Sequence, residues 1–287
     1  MHRSGVLGKK IGVFFEVPIE KVPTPARLFG HAHHLPKATA TMPIHYLTGL
    51  TAKPRTRQAD LHIGVILTVV AGALNAGGFL AIGQYTSHIT GMVSTLADQV
   101  VLRHFELAGI AAISWLAFLC GAATTALVVN FLRRANVGNV YAVPLLIEAV
   151  LILVFGAFGG TLQKHELVDV SFAVITLCFT MGLQNALITK ISRAEIRTTH
   201  LTGLTTDMGI EIGKLVYWNR HSELDGRVAV TANLRKLRVH ATLIGSFLIG
   251  GLGGGFGFHY AGFISTVPLA LALAAISLAP LLGRQRS

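Results

Sequence analysis

Two histidines stand in matching surroundings, His88 in Thr86-Ser-His-Ile-Thr90-Gly91-Met92 and His200 in Thr198-Thr-His-Leu-Thr202-Gly203-Leu204. Each follows a G-x-x-N-A block, Gly72 to Ala76 and Gly182 to Ala186. An imidazole that titrates near neutral pH suits a gate or a ligand contact. It equally suits a helix start, where it and the following Thr would satisfy unpaired backbone groups. Asn75 and Asn185 either bond across a helix interface, with Gly72 and Gly182 allowing close approach, or line a path. Glu148 sits in Leu145-Leu-Ile-Glu148-Ala-Val, and a carboxyl inside so apolar a run marks a functional site by default. The structural alternative is a protonated acid bonded to a neighbouring backbone or hydroxyl group.

Asp207 belongs to the series Gly203, Asp207, Glu211 and Lys214, one polar face beside the apolar stripe Leu204, Met208, Ile212 and Leu215. That pattern is an amphipathic helix for a membrane boundary or a re-entrant hairpin, with Glu211 and Lys214 able to pair. Asp98, with Ser94 and Thr95, stands as its counterpart in the earlier copy. The candidate substrate path is therefore Asn75, His88, Thr90, Glu148, Asn185, His200, Thr202 and Asp207. No nucleophile, metal or cofactor constellation emerges. His240 and His259 lie too far apart to share a metal, and no HExxH pair exists. Cys120 and Cys178 have neither CxxC nor histidine company and read as buried, unpaired thiols.

The elements that must position these residues follow from composition. Of 287 residues, 52% are hydrophobic and 13% charged, with a mean hydropathy of +0.60. A soluble domain is nearer one-quarter charged, so lipid is the expected solvent. The net charge of +11 lies in short segments beside apolar runs, which suits membrane topology rather than nucleic-acid binding. Residues 1–60 read as a disordered, basic, cytoplasmic extension rich in proline, and residues 1–41 lie upstream of a second candidate start, Met42. From Leu61 onward six apolar runs approach or exceed the ~20 residues that cross a bilayer. Ile89–Leu102 and Leu201–Trp218 are short and carry charge. If both return to the side they left, every Lys and Arg except Arg103 and Lys164 is cytoplasmic, as are both termini; if both cross, the clusters at Arg133 and Lys190 fall outside.

The expected fold is thus an all-α integral membrane protein with six transmembrane helices and two short re-entrant or interfacial helices. The membrane domain covers 61–282, with a short cytoplasmic tail at 283–287. Its halves, about 61–162 and 169–282, share G-x-x-N-A, a gap, then [ST]-H-[IL]-T-G-[ML]. Three spans per half is an odd number, so the expectation is an inverted 3+3 repeat, an architecture common among secondary transporters. The glycines of Gly250-Gly-Leu-Gly-Gly-Gly255 follow no strand and lack Lys-Ser/Thr, so small-xxx-small helix packing (Gly250 with Gly254, Gly251 with Gly255) is expected rather than phosphate binding. The basic loop Arg220–Arg238 suits anionic headgroups.

The stretch Met181 to Ser192, continuing through Arg197-Thr-Thr-His-Leu-Thr-Gly203 and Thr206-Asp207-Met-Gly-Ile-Glu211-Ile-Gly213, resembles the signature of the YoaK-like family of bacterial membrane proteins, which carry domain of unknown function 1275. The block around His88 resembles that family's other signature. The resemblance spans about Leu61 to Leu282 and implies a multi-span protein of the bacterial inner membrane, without assigning a substrate. This chain departs from the pattern at Asn75, where Asp is usual, and at Met92, where Asn often follows Thr-Gly. If the family couples to protons through that Asp, this member does not do so there. The functional expectation is a permease for an unknown small solute, embedded in the lipid bilayer and acting as a homodimer or compact carrier. The alternatives are a non-transporting scaffold and an intramembrane enzyme acting on lipid.

Overall fold

A computed structural model describes residues 50, 56–159, 168–217 and 229–283. Most of the basic extension, part of the Arg220–Arg238 loop and residues 284–287 lie outside them. Within the segment expected to be disordered, Leu50 is helical and buried in the main core, and the first long helix begins at Arg57.

That helix, α1 (Arg57–Ile82), starts at Thr56, whose Oγ1 accepts the Ala59 N–H at 3.2 Å. It stops at Gly83, left-handed at φ +70°, whose N–H reaches the Phe79 carbonyl. The remaining helices are α2 (Ile89–Val101), α3 (Phe105–Arg134), α4 (Ala142–Gly159), α5 (Val168–Ile191), α6 (Leu201–Val216), α7 (Leu234–Ala261) and α8 (Thr266–Gly283). A 3-10 turn, Gly262–Ser265, joins the last two, and Gly262 takes a φ of +62° there. No strand occurs among the described residues. Five stretches are long and apolar enough to cross a membrane, and the fifth, Leu234–Ala279, runs from α7 through the 3-10 turn into α8. At 13 and 16 residues, α2 and α6 are about 20 and 24 Å long, short of a hydrocarbon core of about 30 Å.

Packing divides the helices by role. Most of α1 and α5 is buried, whereas α3 and the α7–α8 stretch turn much of their surface outward. The outward surface is apolar: Leu119, Leu127, Phe131, Val150, Leu252, Phe256 and Leu271 are all exposed. Water would make such a face costly, and hydrocarbon makes it neutral. Cys178 is buried, but Cys120 lies on this outward face and is not the buried thiol expected from its apolar run.

Two close seams rest on glycine. A side chain at Gly72 would strike the Phe247 carbonyl oxygen, and one at Gly250 would strike that of Val69, so α1 and α7 meet backbone to backbone. Gly182 lies in the same way against Phe118 and Gly121 against Phe179, which joins α3 to α5. Thr125 strengthens the second seam by donating to the Leu183 carbonyl at 2.9 Å. Gly254 packs on Ala73, while Gly251 and Gly255 make only ordinary contacts at the edge. The small-xxx-small expectation therefore holds for the Gly250/Gly254 pair.

These contacts also fix helix directions. Val69, Ala73 and Gly77 meet Gly250, Gly254 and Phe258 in ascending order, so α1 and α7 are parallel. By the same test α3 and α5 are parallel, with Gly121 at Phe179 and Thr125 at Leu183. In contrast α1 and α5 are antiparallel: Gly64 meets Ile188, Leu67 accepts from Gln184 at 2.6 Å, and Gly78 meets Leu177. So are α4 and α8, since Ser277 donates to the Ala142 carbonyl at 2.7 Å and Gly156 lies against Thr266.

Candidate functional site

The linkers before α2 and α6 are built alike. Asn75, near the end of α1, accepts through Oδ1 from Ser87 Oγ at 2.9 Å and from the Ser87 N–H at 3.4 Å. Asn185 on α5 accepts through Oδ1 from Thr199 Oγ1 at 2.8 Å and Thr198 Oγ1 at 3.4 Å, while its amide donates to the Met181 carbonyl at 2.8 Å. Neither asparagine bridges two long helices; each clamps the start of a short helix to the span before it. Thr86 and Thr198 are fully buried beneath the clamps.

His88 and His200 occupy the N-cap positions of α2 and α6, but neither imidazole makes a capping hydrogen bond. Each ring instead folds over the glycine three residues on, where a side chain at Gly91 or Gly203 would collide with it. Thr90 and Thr202 are exposed on the first turns. Arg197 reaches His200 Nδ1 at 3.3 Å.

Beyond each clamp lies a cleft. The first, about 270 Å³, is lined by Gln84, His88, Thr95 and Gln99 together with Leu107 and Ala111 of α3. The second, about 460 Å³, includes Ile196, Asp207, Lys236, Val239 and His240, with Arg57 and Asp60 from the start of α1. Aligned on the His-x-Thr-Gly motifs and the glycine seams, Thr95 corresponds to Asp207, Leu107 to Lys236 and Ala111 to His240. The counterpart of Asp207 is thus Thr95, not Asp98, which is exposed.

The second cleft is ionic where the first is neutral. Lys236 pairs with Asp207 at 3.0 Å, and Arg57 with Glu195 at 2.9 Å. Glu211 is buried and doubly held, taking the Asn233 N–H at 2.7 Å and Lys214 at 2.9 Å. The Lys236 hydrogen bond holds the Asp207 carboxyl below the usual carboxylate range, and the Asn233 N–H, then Lys214, do the same for Glu211. Glu211 therefore turns inward, while Ile210, Ile212 and Leu215 are exposed and Leu204 of the apolar stripe is buried in the core. Before α3 the position matching the Glu211–Asn233 contact holds no carboxylate: Gln99 Oε1 meets His104 Nδ1 at 3.0 Å.

Glu148 stands apart from both clefts. It is fully buried on α4, and neither carboxyl oxygen has a hydrogen-bond partner among the described residues. The backbone or hydroxyl partner considered from the sequence is not there. The structure gathers His88 into one cleft and Asp207 into the other, and it places Asn75 and Asn185 behind them. Three contributors escaped the sequence reading. Lys236 and Asn233 sit in what looked like a generic basic loop. Gln184, whose Nε2 crosses to the Leu67 carbonyl, is fully buried in a span, and that expense was its only signal. Among the described residues no group of three His, Cys, Asp or Glu is placed to hold a metal ion.

Long helices with outward-facing apolar surfaces define a polytopic α-helical membrane protein. The chain belongs to the family described as protein of unknown function DUF1275, whose model matches residues 63–279. It is 23% identical over 186 residues to the UPF0700 transmembrane protein YoaK of Bacillus subtilis (strain 168), covering 64% of this chain and 80% of that protein. No solved structure gives a significant match.

Proposed function

We propose that this protein is a bacterial inner-membrane permease for a small solute, built as an inverted 3+3 repeat of six spans with two returning helices. The carrying observation is the pair of corresponding clefts at opposite ends of α1, one beside Gln84 and the other beside Arg57. The helix between them is about 39 Å long at 26 residues.

The directions of the helices support the repeat. If all eight helices crossed in turn, α1 and α5 would be parallel, and so would α4 and α8; both pairs are antiparallel. Two returning helices give those directions, and they also give the parallel seams of α1 with α7 and α3 with α5. Corresponding helices of the two halves then run oppositely, the arrangement of inverted-repeat transporters that alternate access about a central site. In this reading the ionic cleft faces the cytoplasm with both termini, and Asn75, Asn185, His88, His200, Thr90 and Thr202 form the hinges and mouths of the two paths. Six spans favour a homodimer, which cross-linking in native membranes would test.

Flux measurements in proteoliposomes, screening small charged and neutral solutes, test the proposal. Solute movement that persists unchanged with Glu148→Gln and His200→Ala would remove the assigned residues from the mechanism. A second reading, a non-transporting scaffold, draws on the backbone-tight glycine seams, and it predicts no solute movement at all.

A further inference from the structure

We infer that Glu148 is a proton-binding site and that the permease is proton-coupled through it; the coupling half of this rests on the transport reading above. Three features carry the inference. The residue lies seven positions along α4 from Tyr141, which marks one end of the bundle, so it is about 10 Å inside. It has no exposed surface, and both carboxyl oxygens lack a partner among the described residues. Its own face of α4 is otherwise apolar, comprising Leu145, Ala149, Ile152 and Phe155.

Among the described residues the elements packed against α4 offer no countercharge. The sequences of α8 and of the 3-10 turn contain no ionisable side chain. On α5, Asp169 stands in the first turn, at the end away from Tyr141, Lys190 sits at the Tyr141 end, and Cys178 turns to a cluster with Met92 and Ala117. On α3, Arg133 is bound to the Tyr141 hydroxyl at that same end, Arg134 and Glu106 are exposed, and Cys120 faces outward. A carboxylate in this setting would be a desolvated, unpaired charge, and a metal ion or organic cation would need several more oxygens around it. A proton needs none. The acid does no structural work here, since it makes no hydrogen bond that a leucine or glutamine would forfeit. What remains is a group that holds its proton in this arrangement and releases it when an opening brings water to it, the behaviour expected of a coupling carboxyl inside a membrane.

Dicyclohexylcarbodiimide, an apolar reagent that attacks protonated acids within membranes, tests this directly on the full chain in proteoliposomes. The carboxyl proton passes to a carbodiimide nitrogen, the carboxylate oxygen adds to the central carbon, and rearrangement leaves a stable N-acylurea that mass spectrometry locates. The expected result is modification at Glu148 that falls by about tenfold per pH unit above its titration. Glu148→Gln should abolish modification at that position, and Glu148→Asp should keep it. Absence of modification at any pH, while the unfolded chain reacts at Glu148, would overturn the proposal. So would modification independent of pH, the mark of an acid that never exchanges its proton. Modification without any solute flux would retain the proton site and sink the permease; flux indifferent to a pH gradient and to Glu148→Gln would do the reverse.

Discussion

The clamp asparagines use the same atom for the same purpose, and that sets what each position tolerates. Oδ1 of Asn75 only accepts, from a hydroxyl and a backbone N–H of Ser87. A carboxylate at position 75 would accept both bonds more strongly, so Asp fits the same clamp. Asn75→Asp should therefore preserve stability, whereas Asn185→Leu should strand Thr198 and Thr199 and cost about 1–3 kcal/mol. Thermal unfolding in detergent, compared across these variants, reads the difference; equal melting of Asn185→Leu and the parent would remove the clamp. The charged contacts of α6 have a different signature. The folded structure depresses Asp207 and Glu211, so both bind protons less readily folded than unfolded. Their contribution is present above the unfolded carboxylate range and is lost as pH falls through the lower folded values. Acidification should remove the carboxylate contacts of α6, which have no carboxylate equivalent in α2, and Asp207→Asn should loosen α6 at neutral pH. Hydrogen exchange of Leu204–Glu211 against Met92–Gln99 distinguishes the two helices.

At the scale of elements, the glycine seams bring helix backbones into direct contact. Lipid gives no hydrophobic drive for helix association, so close van der Waals approach and direct bonds such as Thr125 to Leu183 hold α3 on α5. Gly182→Val would place two methyl groups against the Phe118 backbone, which cannot yield as a flexible side chain would. The expected cost is about 1–3 kcal/mol, and Gly72→Val in the corresponding seam should behave alike. Gly253→Ala, facing open space within α7, is the control and should leave the melting temperature unchanged or slightly raised. This scale was partly legible in the sequence. Paired G-x-x-N-A blocks pointed to close approach at Gly72 and Gly182, because two ordered polar motifs repeated at distance are hard to obtain otherwise. Their partners, Phe247 and Phe118, carry no local signal, since a carbonyl contact depends on register between helices far apart in sequence. The inward turn of Glu211 was illegible for the same reason. Its partner N–H belongs to Asn233, and periodicity alone gives a charged face without saying whether water or protein covers it.

Seen whole, the molecule clamps α2 and α6 in the same way but lines the two clefts with different chemistry. Thr95, Leu107 and Ala111 line one cleft where Asp207, Lys236 and His240 line the other. If the halves are inverted, these clefts open on opposite sides of the membrane, and labelling can show it. Single cysteines at Thr95 and Asp207, placed in a background lacking Cys120 and Cys178, should react with a membrane-impermeant maleimide from opposite sides of oriented vesicles. Asp207→Cys should label from the cytoplasmic face, because it shares its cleft with Arg57, Arg235 and Lys236, basic residues that the charge bias places inside. Topology reporters after Arg134 and near Arg193 should both read cytoplasmic as well. Labelling of both cysteines from one side would mean that α2 or α6 crosses. A crossing α2 would leave the antiparallel contacts of α1 with α5 unexplained, a crossing α6 the parallel contacts of α1 with α7, and in either case the two clefts could not be the alternating mouths of one path.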